Sequence, residues 1–182
     1  AKNEELFFWD RKWEELAVKI WEKRLELIDY INEKGTKYFS QIFAGEGELK
    51  IKYFRGNWQD KGLTWPEYLA AGLERELKYG STLIGPHRDD VVVELDGVKI
   101  DQIGSRAQMR LALLALKMGE ADYIFQERKS YPILLLDDIF SELDEKNKQR
   151  VIEYIQDKQV IITTTEIDKR FEGQDICIIR VE

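Results

Sequence analysis

The stretch PILLLDDIFSELD, residues 132–144, decides the fold, because four bulky aliphatic residues run straight into a pair of aspartates. A continuous aliphatic run is typical of a strand buried in a parallel sheet, whose side chains reach polar chemistry only at the carboxyl edge. We therefore expect Asp137 and Asp138 at that edge. Such acids form a Walker B pattern, in which the first holds Mg²⁺ on nucleotide phosphates and the next polarises an attacking water. A polar strand end or a helix cap is the alternative.

The residues after the acid pair follow the order of an α/β unit. EKNKQRVIEYIQDK (145–158) is an amphipathic helix pattern and QVIITTTE (159–166) is a strand pattern, so a crossover helix joins two strands. We expect a right-handed parallel pair with both faces covered. The segment SELD, Ser141 to Asp144, resembles the D-loop that follows Walker B in ABC-type ATPases, with the threonines as the switch. Asp144 is equally a candidate N-cap for the helix.

A helix predicted to be buried on most sides lies upstream, in SRAQMRLALLALKMGEADYIFQERK (105–129). Its first turn resembles an ABC signature, in which a serine and the helix N-terminus face the γ-phosphate held by the opposite protomer. Ser105 and Gln108 also match the S-x-x-Q capping box, and the two explanations are compatible. Ala107 stands where the signature generally has glycine, which puts the strength of that phosphate contact in question.

The first 80 residues are predicted to be mainly helical. A long amphipathic helix of coiled-coil-like period is expected to end at Gly35, either as a core helix or as a projecting arm. ELKIKYFRG (48–56) alternates as a strand, and Thr64 with Glu67 predicts a capping box for a helix that ends at Gly80. The apolar stripe of this helix carries Leu6, Trp9, Trp13, Leu16 and Ile20 and resumes with Leu27 and Tyr30.

Two β-rich runs flank Asp96-Gly97, which predicts a hairpin, and DICIIRVE (175–182) predicts a last strand. The segment GPHRDD (85–90) contains the only histidine, His87, next to Arg88. A lone histidine is a poor metal site, so a turn is the simpler explanation of His87.

Composition limits the possible functions. The chain has 182 residues, 43% of them hydrophobic, and a net charge of −7, which argues against this polypeptide alone gripping a phosphate backbone. We expect one main domain with an appendage. No apolar run approaches the roughly 20 residues that cross a bilayer. The single cysteine, Cys177, fits a reducing compartment, and we expect a cytoplasmic protein.

Together, GPHRDD, SRAQMRLALLALK, LLLDDIFSELD and QVIITTTE closely resemble the C-terminal half of the RecF family of bacterial recombination mediators, which are ABC-type ATPases related to the SMC proteins. The resemblance implies an α/β fold with a largely parallel sheet in residues 81–182 and a helical lobe or arm in residues 1–80. It implies Mg²⁺ on Asp137, water activation by Asp138 in place of the usual glutamate, and a switch at Thr165. It places the nucleotide-contacting residues at Ser105, Arg106, Ala107, Gln108, Arg110, Ser141 and Asp144.

The same resemblance implies a dimer that forms on ATP, binds DNA at gaps or single/double-strand junctions, and works with RecR and RecO to load RecA. It also implies roles in DNA repair, replication and the SOS response. The chain nevertheless contains no GxxxxGK[ST] phosphate cradle. We therefore expect it to be a portion of a longer, slow ATPase that alone neither binds ATP tightly nor hydrolyses it.

Two rival functions remain open from the sequence. A metal-dependent phosphohydrolase or nuclease would need Asp137 and Asp138 to converge with Asp89 or Asp90. A docking module without catalysis would use the helical lobe to bind RecR or a similar partner, leaving the acids without a role.

Overall fold

The computed structural model describes residues 2–43, 47–55, 64–141, 143–166, 169–171 and 176–180. Its helices are α1 (Lys2–Phe43), α2 (Trp65–Tyr79), α3 (Ile100–Ile103), α4 (Arg106–Arg128) and α5 (Glu145–Ile155). Its strands are β1 (Leu49–Phe54), β2 (Asp90–Leu95), β3 (Val98–Lys99), β4 (Leu134–Asp137) and β5 (Val160–Thr163). Short 3-10 turns occur at Pro86–Arg88 and Lys169–Phe171.

The chain divides into two compact units, residues 1–33 with 48–99 and residues 34–47 with 100–182. The first unit holds most of α1, the antiparallel sheet β1-β2-β3 and α2. The second holds the end of α1, helices α3 to α5 and the parallel pair β4-β5. These units are defined by packing alone, so the functional domains expected at 1–80 and 81–182 stay a prediction.

The predicted hairpin is confirmed in the first unit. Strand β2 pairs antiparallel with β3, and the turn between them has positive φ at Asp96 (52°) and Gly97 (78°). Two left-handed residues are what a tight two-residue hairpin requires, and Asp-Gly supplies them at low cost. Strand β1 pairs with β2 from Leu49–Leu95 to Phe54–Asp90. The other edge of β1 is occupied by Asn32 of α1, whose side-chain amide bonds both the N–H and the C=O of Ile51.

Helix α1 is longer than predicted and buries only part of the predicted stripe. It continues through Gly35 to Phe43, because a glycine inside a helix costs only about 1 kcal/mol relative to alanine. Phe39, beyond that glycine, is fully buried. The predicted stripe is buried only in part, since Trp9, Leu16 and Ile20 are exposed whereas Trp13 packs against the core of the first unit. The buried hydrophobic residues among the described side chains of α1 are Ala17, Trp21, Ile28, Ile31 and Phe39.

The second helix follows its prediction. The Glu67 carboxylate accepts hydrogen bonds from the backbone N–H and the hydroxyl of Thr64, which hold the start of α2. The hydroxyl bond, followed by the backbone bond, lowers the pKa of Glu67. At the other end, Gly80 takes a left-handed conformation and donates its N–H to the Glu76 carbonyl.

The second unit confirms the predicted strand, helix and strand. Strands β4 and β5 are parallel, with Leu134 opposite Val160 and Asp137 opposite Thr163, and α5 connects them. Helix α4 is buried along much of its length, as its apolar sequence predicts. Its buried residues are Leu111, Ala112, Leu114, Ala115, Met118, Gly119 and Ala121.

Two expectations for the second unit are wrong. The β4-β5 pair is not covered on both faces, because the cross-strand neighbours Leu135 and Ile161 are 72% and 57% exposed. Residues 176–180 form no strand, since their backbone joins no ladder with a described neighbour. Residues 175, 181 and 182 of the predicted last strand lie outside the described residues. No described helix is both long and apolar enough to cross a membrane.

Candidate functional site

The first acid lies at the carboxyl edge of the parallel pair, as predicted. Asp137 is the last residue of β4 and is exposed, and its register partner is Thr163, the last residue of β5. The Thr163 hydroxyl donates a short hydrogen bond to the Asp137 carboxylate. The carboxylate is thereby oriented by the neighbouring strand.

The second acid begins a sharp turn away from the sheet. Asp138 has φ of 47°, in the left-handed region that aspartate tolerates better than most residues. Its backbone N–H donates to the Thr163 carbonyl oxygen at 3.2 Å and to the Thr163 hydroxyl oxygen at 3.1 Å. Thr163 therefore holds both acids at one strand end. The side chain of Asp138 is exposed at this edge.

A third element reaches the same turn. Arg110, in the second turn of α4, donates from one guanidinium nitrogen to the Asp138 carbonyl at 2.8 Å and to the Ser141 hydroxyl at 2.8 Å. The Ser141 hydroxyl also donates to the Asp138 carbonyl at 3.2 Å. These bonds join the candidate signature helix to the turn between the acids and the candidate D-loop. The sequence marked Arg110 as a nucleotide contact, whereas the structure shows it bonded within its own chain.

The start of α4 is capped by the predicted box. The Ser105 hydroxyl accepts from the Gln108 N–H at 3.2 Å, and the Gln108 side-chain oxygen accepts from the Ser105 N–H at 2.8 Å. Ser105 and Arg106 are exposed, and Ala107 is half-buried. The structural role of this motif is confirmed. Its role as an anion site at the positive end of a helix stays a prediction.

Buried apolar side chains hold the segment that follows the acids. Phe140 and Leu143 are each 6% exposed, and the Leu143 N–H donates to the Phe140 carbonyl at 3.3 Å. Asp144 caps α5 by accepting from the Asn147 N–H at 2.8 Å. The predicted cap is thus confirmed, and the nucleotide role of Ser141 and Asp144 stays a prediction. Glu142, within the predicted D-loop, lies outside the described residues.

Sequence reasoning placed the switch at Thr165 and missed Thr163. Thr165 is exposed two residues beyond β5, and its role stays a prediction. The available signal for Thr163 was its position as the first polar residue after VII in QVIITTTE. In a parallel pair, that residue lies beside the last residue of the preceding strand, which is the first acid.

The GPHRDD segment forms a second polar centre, within the first unit. Asp89, whose side chain is 1% exposed, accepts on Oδ2 from the Trp21 indole N–H at 2.6 Å and from the Tyr53 hydroxyl. Arg24 lies 3.4 Å from the same oxygen and also donates to the Pro86 carbonyl. The other oxygen, Oδ1, has no hydrogen-bond partner among the described residues.

The backbone and the surroundings of position 85 require a glycine. Its φ is 127°, and a β-carbon there would lie 2.8 Å from the Trp13 ring. His87 packs edge-on against the same ring, with centroids 5.7 Å apart, and its Nε2 lies 3.1 Å from the Thr82 carbonyl oxygen. The turn predicted around His87 is confirmed, and it is held rigidly.

One acid of the metal-only rival already has partners of its own. Asp89 is committed to three donors inside its own unit. Across the parts of the chain that the structure describes, no group of three or more His, Cys, Asp or Glu side chains is placed to hold a metal ion.

Comparison with known proteins gives a consistent result. No family model matches the chain. The DNA replication and repair protein RecF of Geotalea uraniireducens is 37% identical over 167 aligned residues, covering 87% of this chain and 46% of that protein. RecF of Geobacillus thermodenitrificans is 36% identical over 176 aligned residues, covering 91% of this chain and 47% of that protein. A solved structure of the recombination mediator RecF with ATP matches with a TM-score of 0.67 at 28% identity, covering 88% of this chain and 45% of that one.

The parallel pair with its acidic edge, the capped helix and the match to the ATP-bound structure define the fold as part of an ABC-type ATPase head. More narrowly, the chain is homologous to the RecF proteins over most of its length. It spans about half the length of the curated relatives it matches.

Proposed function

We propose that the chain is the C-terminal portion of a RecF-type recombination mediator and carries the signature, Walker B, D-loop and switch segments of its ATPase head. The whole protein dimerises on ATP, with the signature of one protomer closing on nucleotide held by the other. Closure is coupled to binding of gapped or junction DNA and to RecR and RecO, which leads to RecA loading. The protein works in the cytoplasm.

One observation carries this proposal. Arg110 bonds the Asp138 carbonyl and the Ser141 hydroxyl, so the signature helix, the acid pair and the D-loop meet in one network. These contacts link three segments that the sequence assigned separately to the ATPase site. Coupling of these segments is what a site shared between protomers requires.

The residues present fit a magnesium-bound triphosphate in part. Asp137 offers a hard, oriented carboxylate oxygen, which suits Mg²⁺, and Ser105 with the capped start of α4 offers a positive helix end to phosphate. Bound Mg²⁺ would supply charge neutralisation at the transferring phosphoryl group. The backbone cradle and lysine that grip the β and γ phosphates are absent from this sequence, so we assign them to the other half of a RecF-length protein.

In this scheme Asp138 takes the water-activating role. Its exposed carboxylate, beside Asp137, which would hold Mg²⁺, would accept a proton from the attacking water. Thr163 and Arg110 bond the backbone of Asp138, whose left-handed conformation determines the direction in which its side chain leaves the backbone. Thr163 is thus a positioning residue for both acids.

The test uses the chain completed to RecF length. Asp138→Asn should lower ATP turnover about 100-fold or more, as expected for loss of a general base, while ATP-dependent dimerisation persists. Asp101→Asn, at an exposed position of α3, is the matched control and should leave both unchanged. Unchanged turnover in Asp138→Asn would refute the catalytic role. Tight ATP binding by the 182-residue chain alone would refute the proposal that the phosphate cradle lies in the other half of a RecF-length protein.

A further inference from the structure

Three arginines lie at chain positions near one end of the antiparallel sheet. Arg55 directly follows β1 and Arg88 precedes β2, and the register that pairs Phe54 with Asp90 places these two chain ends side by side. Arg24 of α1 reaches the same end, where it bonds the Pro86 carbonyl. We refer to Arg24, Arg55 and Arg88 as the arginine patch.

Two of these side chains are held in place before any ligand arrives. Arg24 donates to Tyr53 at 3.2 Å as well as to Pro86, and lies beside Asp89. Arg55 lies over the Trp21 ring, 5.1 Å from its centroid. Trp21 is itself fixed by its bond to Asp89. Side chains that are already ordered lose little conformational entropy when they bind an anion.

The charges of the arginine patch are only partly neutralised. Arg24 is compensated by the buried Asp89, whereas Arg55 and Arg88 make no ion pair with any described residue. The neighbouring lysines of β1 differ, because Lys50 pairs with Glu48 and Lys52 with Glu94. The nearest further acid in sequence, Asp90, is exposed and accepts the backbone N–H of Val91.

The turn that carries Arg88 is rigid, although Arg88 itself is exposed. The Arg88 N–H donates to the Gly85 carbonyl at 2.8 Å, and Pro86 is buried. Asp89, the next residue, is bonded to two other elements. Arg88 is thus an exposed arginine, without an ion pair to any described residue, on a turn held by backbone hydrogen bonds. A guanidinium presented in this way can donate to phosphate oxygens.

We propose that the arginine patch is a contact site for the phosphodiester backbone of DNA. The proposal rests on the proposed function, because DNA is the polyanion that a RecF-type protein meets. It accounts for an arginine cluster in a chain whose net charge is −7, since a local patch can bind phosphate where the whole surface does not attract it. Contacts of this kind position DNA without reading its sequence.

The experiment measures fluorescence anisotropy of a labelled DNA duplex with a single-stranded overhang, titrated with the chain completed to RecF length. Salt is varied between about 50 and 200 mM, and the slope of log affinity against log salt counts the phosphates neutralised. Arg88→Ala should lower the magnitude of that slope by about one and weaken binding equally for unrelated sequences. Arg88→Lys, which restores the charge, should restore the slope.

Arg75→Ala is the matched control, since Arg75 is an exposed arginine of α2 in the same unit. The proposal is overturned by an unchanged slope in Arg88→Ala, or by an equal fall in Arg75→Ala. It is also overturned if Arg88→Ala weakens binding of a labelled acidic peptide and leaves DNA binding intact. ATP-dependent dimerisation is measured on the same samples, so that failure of the arginine patch alone is distinguished from failure of the proposed ATPase role.

Discussion

Replacement of Arg110 by alanine should loosen the turn between the acid pair and the D-loop while the rest of the second unit stays folded. The variant removes two hydrogen bonds of 2.8 Å from a charged donor, one to the Asp138 carbonyl and one to the Ser141 hydroxyl. Bonds of a charged group contribute about 1.5–3 kcal/mol each when buried. Arg110 is only half-buried, so we expect about 2 kcal/mol for the pair together.

Native-state hydrogen exchange is the assay that resolves such a local loss. Two backbone amides report on the turn, since the Asp138 N–H bonds Thr163 and the Leu143 N–H bonds Phe140. A loss of about 2 kcal/mol in local stability corresponds to about 30-fold faster exchange at these amides. Amides in the middle of α5 should change far less. Arg110→Lys, which keeps the charge and loses the planar fork, should fall between wild type and alanine.

Arg106→Ala is the matched control because Arg106 is exposed on the first turn of the same helix. It carries the same change in charge and helix propensity, and it should leave the exchange of Asp138 and Leu143 unchanged. The coupling argument fails if Arg110→Ala and Arg106→Ala give the same rates at these two amides. It fails equally if exchange accelerates uniformly along α4 and α5, which would indicate global destabilisation.

Three further predictions concern stability, each measured by urea unfolding. Asp89→Ala should lower the free energy of unfolding by about 3 kcal/mol, because the indole N–H of Trp21 and the hydroxyl of Tyr53 lose their shared acceptor. Asp90→Ala, at an exposed position, should lower it by under about 0.5 kcal/mol; equal losses would contradict the network. Burial, with the bond to Asp89 adding to it, raises the pKa of Tyr53 above its ordinary 10.0. The stabilisation from the protonated Tyr53 hydroxyl is therefore complete below pH 10 and is lost as the pH rises through the raised pKa. Tyr53→Phe should therefore reduce the fall in the free energy of unfolding at alkaline pH, and an unchanged dependence of that free energy on pH would refute this. Phe39→Ala should lower the free energy of unfolding by about 3–5 kcal/mol, because Phe39 is fully buried. Phe8→Ala, at a residue 61% exposed, should lower it by under about 0.5 kcal/mol. A small loss for Phe39→Ala would contradict the continuation of α1 past Gly35.

Local signals predicted most of the second unit correctly. Ser105 with Gln108 and Asp144 cap their helices through residues only three positions away, so neighbouring residues in the sequence predict these roles. The Asp96-Gly97 turn of the first unit is local in the same way. The strand, helix and strand order from residue 134 to 163 follows from hydrophobic period alone. The acids at the strand end follow from the same pattern.

Features that depend on packing between distant segments could not be predicted. The face of α1 that is buried is chosen by what β1 and α2 offer to it, and the apolar residues of α1 permit more than one stripe. Asp89 gathers Trp21 and Tyr53 from positions 68 and 36 residues away, and no spacing rule connects them. The link from Arg110 to Asp138 likewise joins residues 28 positions apart.

The uncovered face of the β4-β5 pair brings these observations together. Parallel strands are normally covered on both faces, and a sheet of two strands is too small to be stable by itself. Here Leu135 and Ile161 stand exposed directly beside the edge that carries Asp137 and Thr163. We expect the remaining half of a RecF-length protein to extend and cover this sheet and to bring the missing phosphate cradle to the acids. Apolar burial would then assemble the nucleotide site, because the contacts that remove Leu135 and Ile161 from water would also complete the ligand shell around the triphosphate.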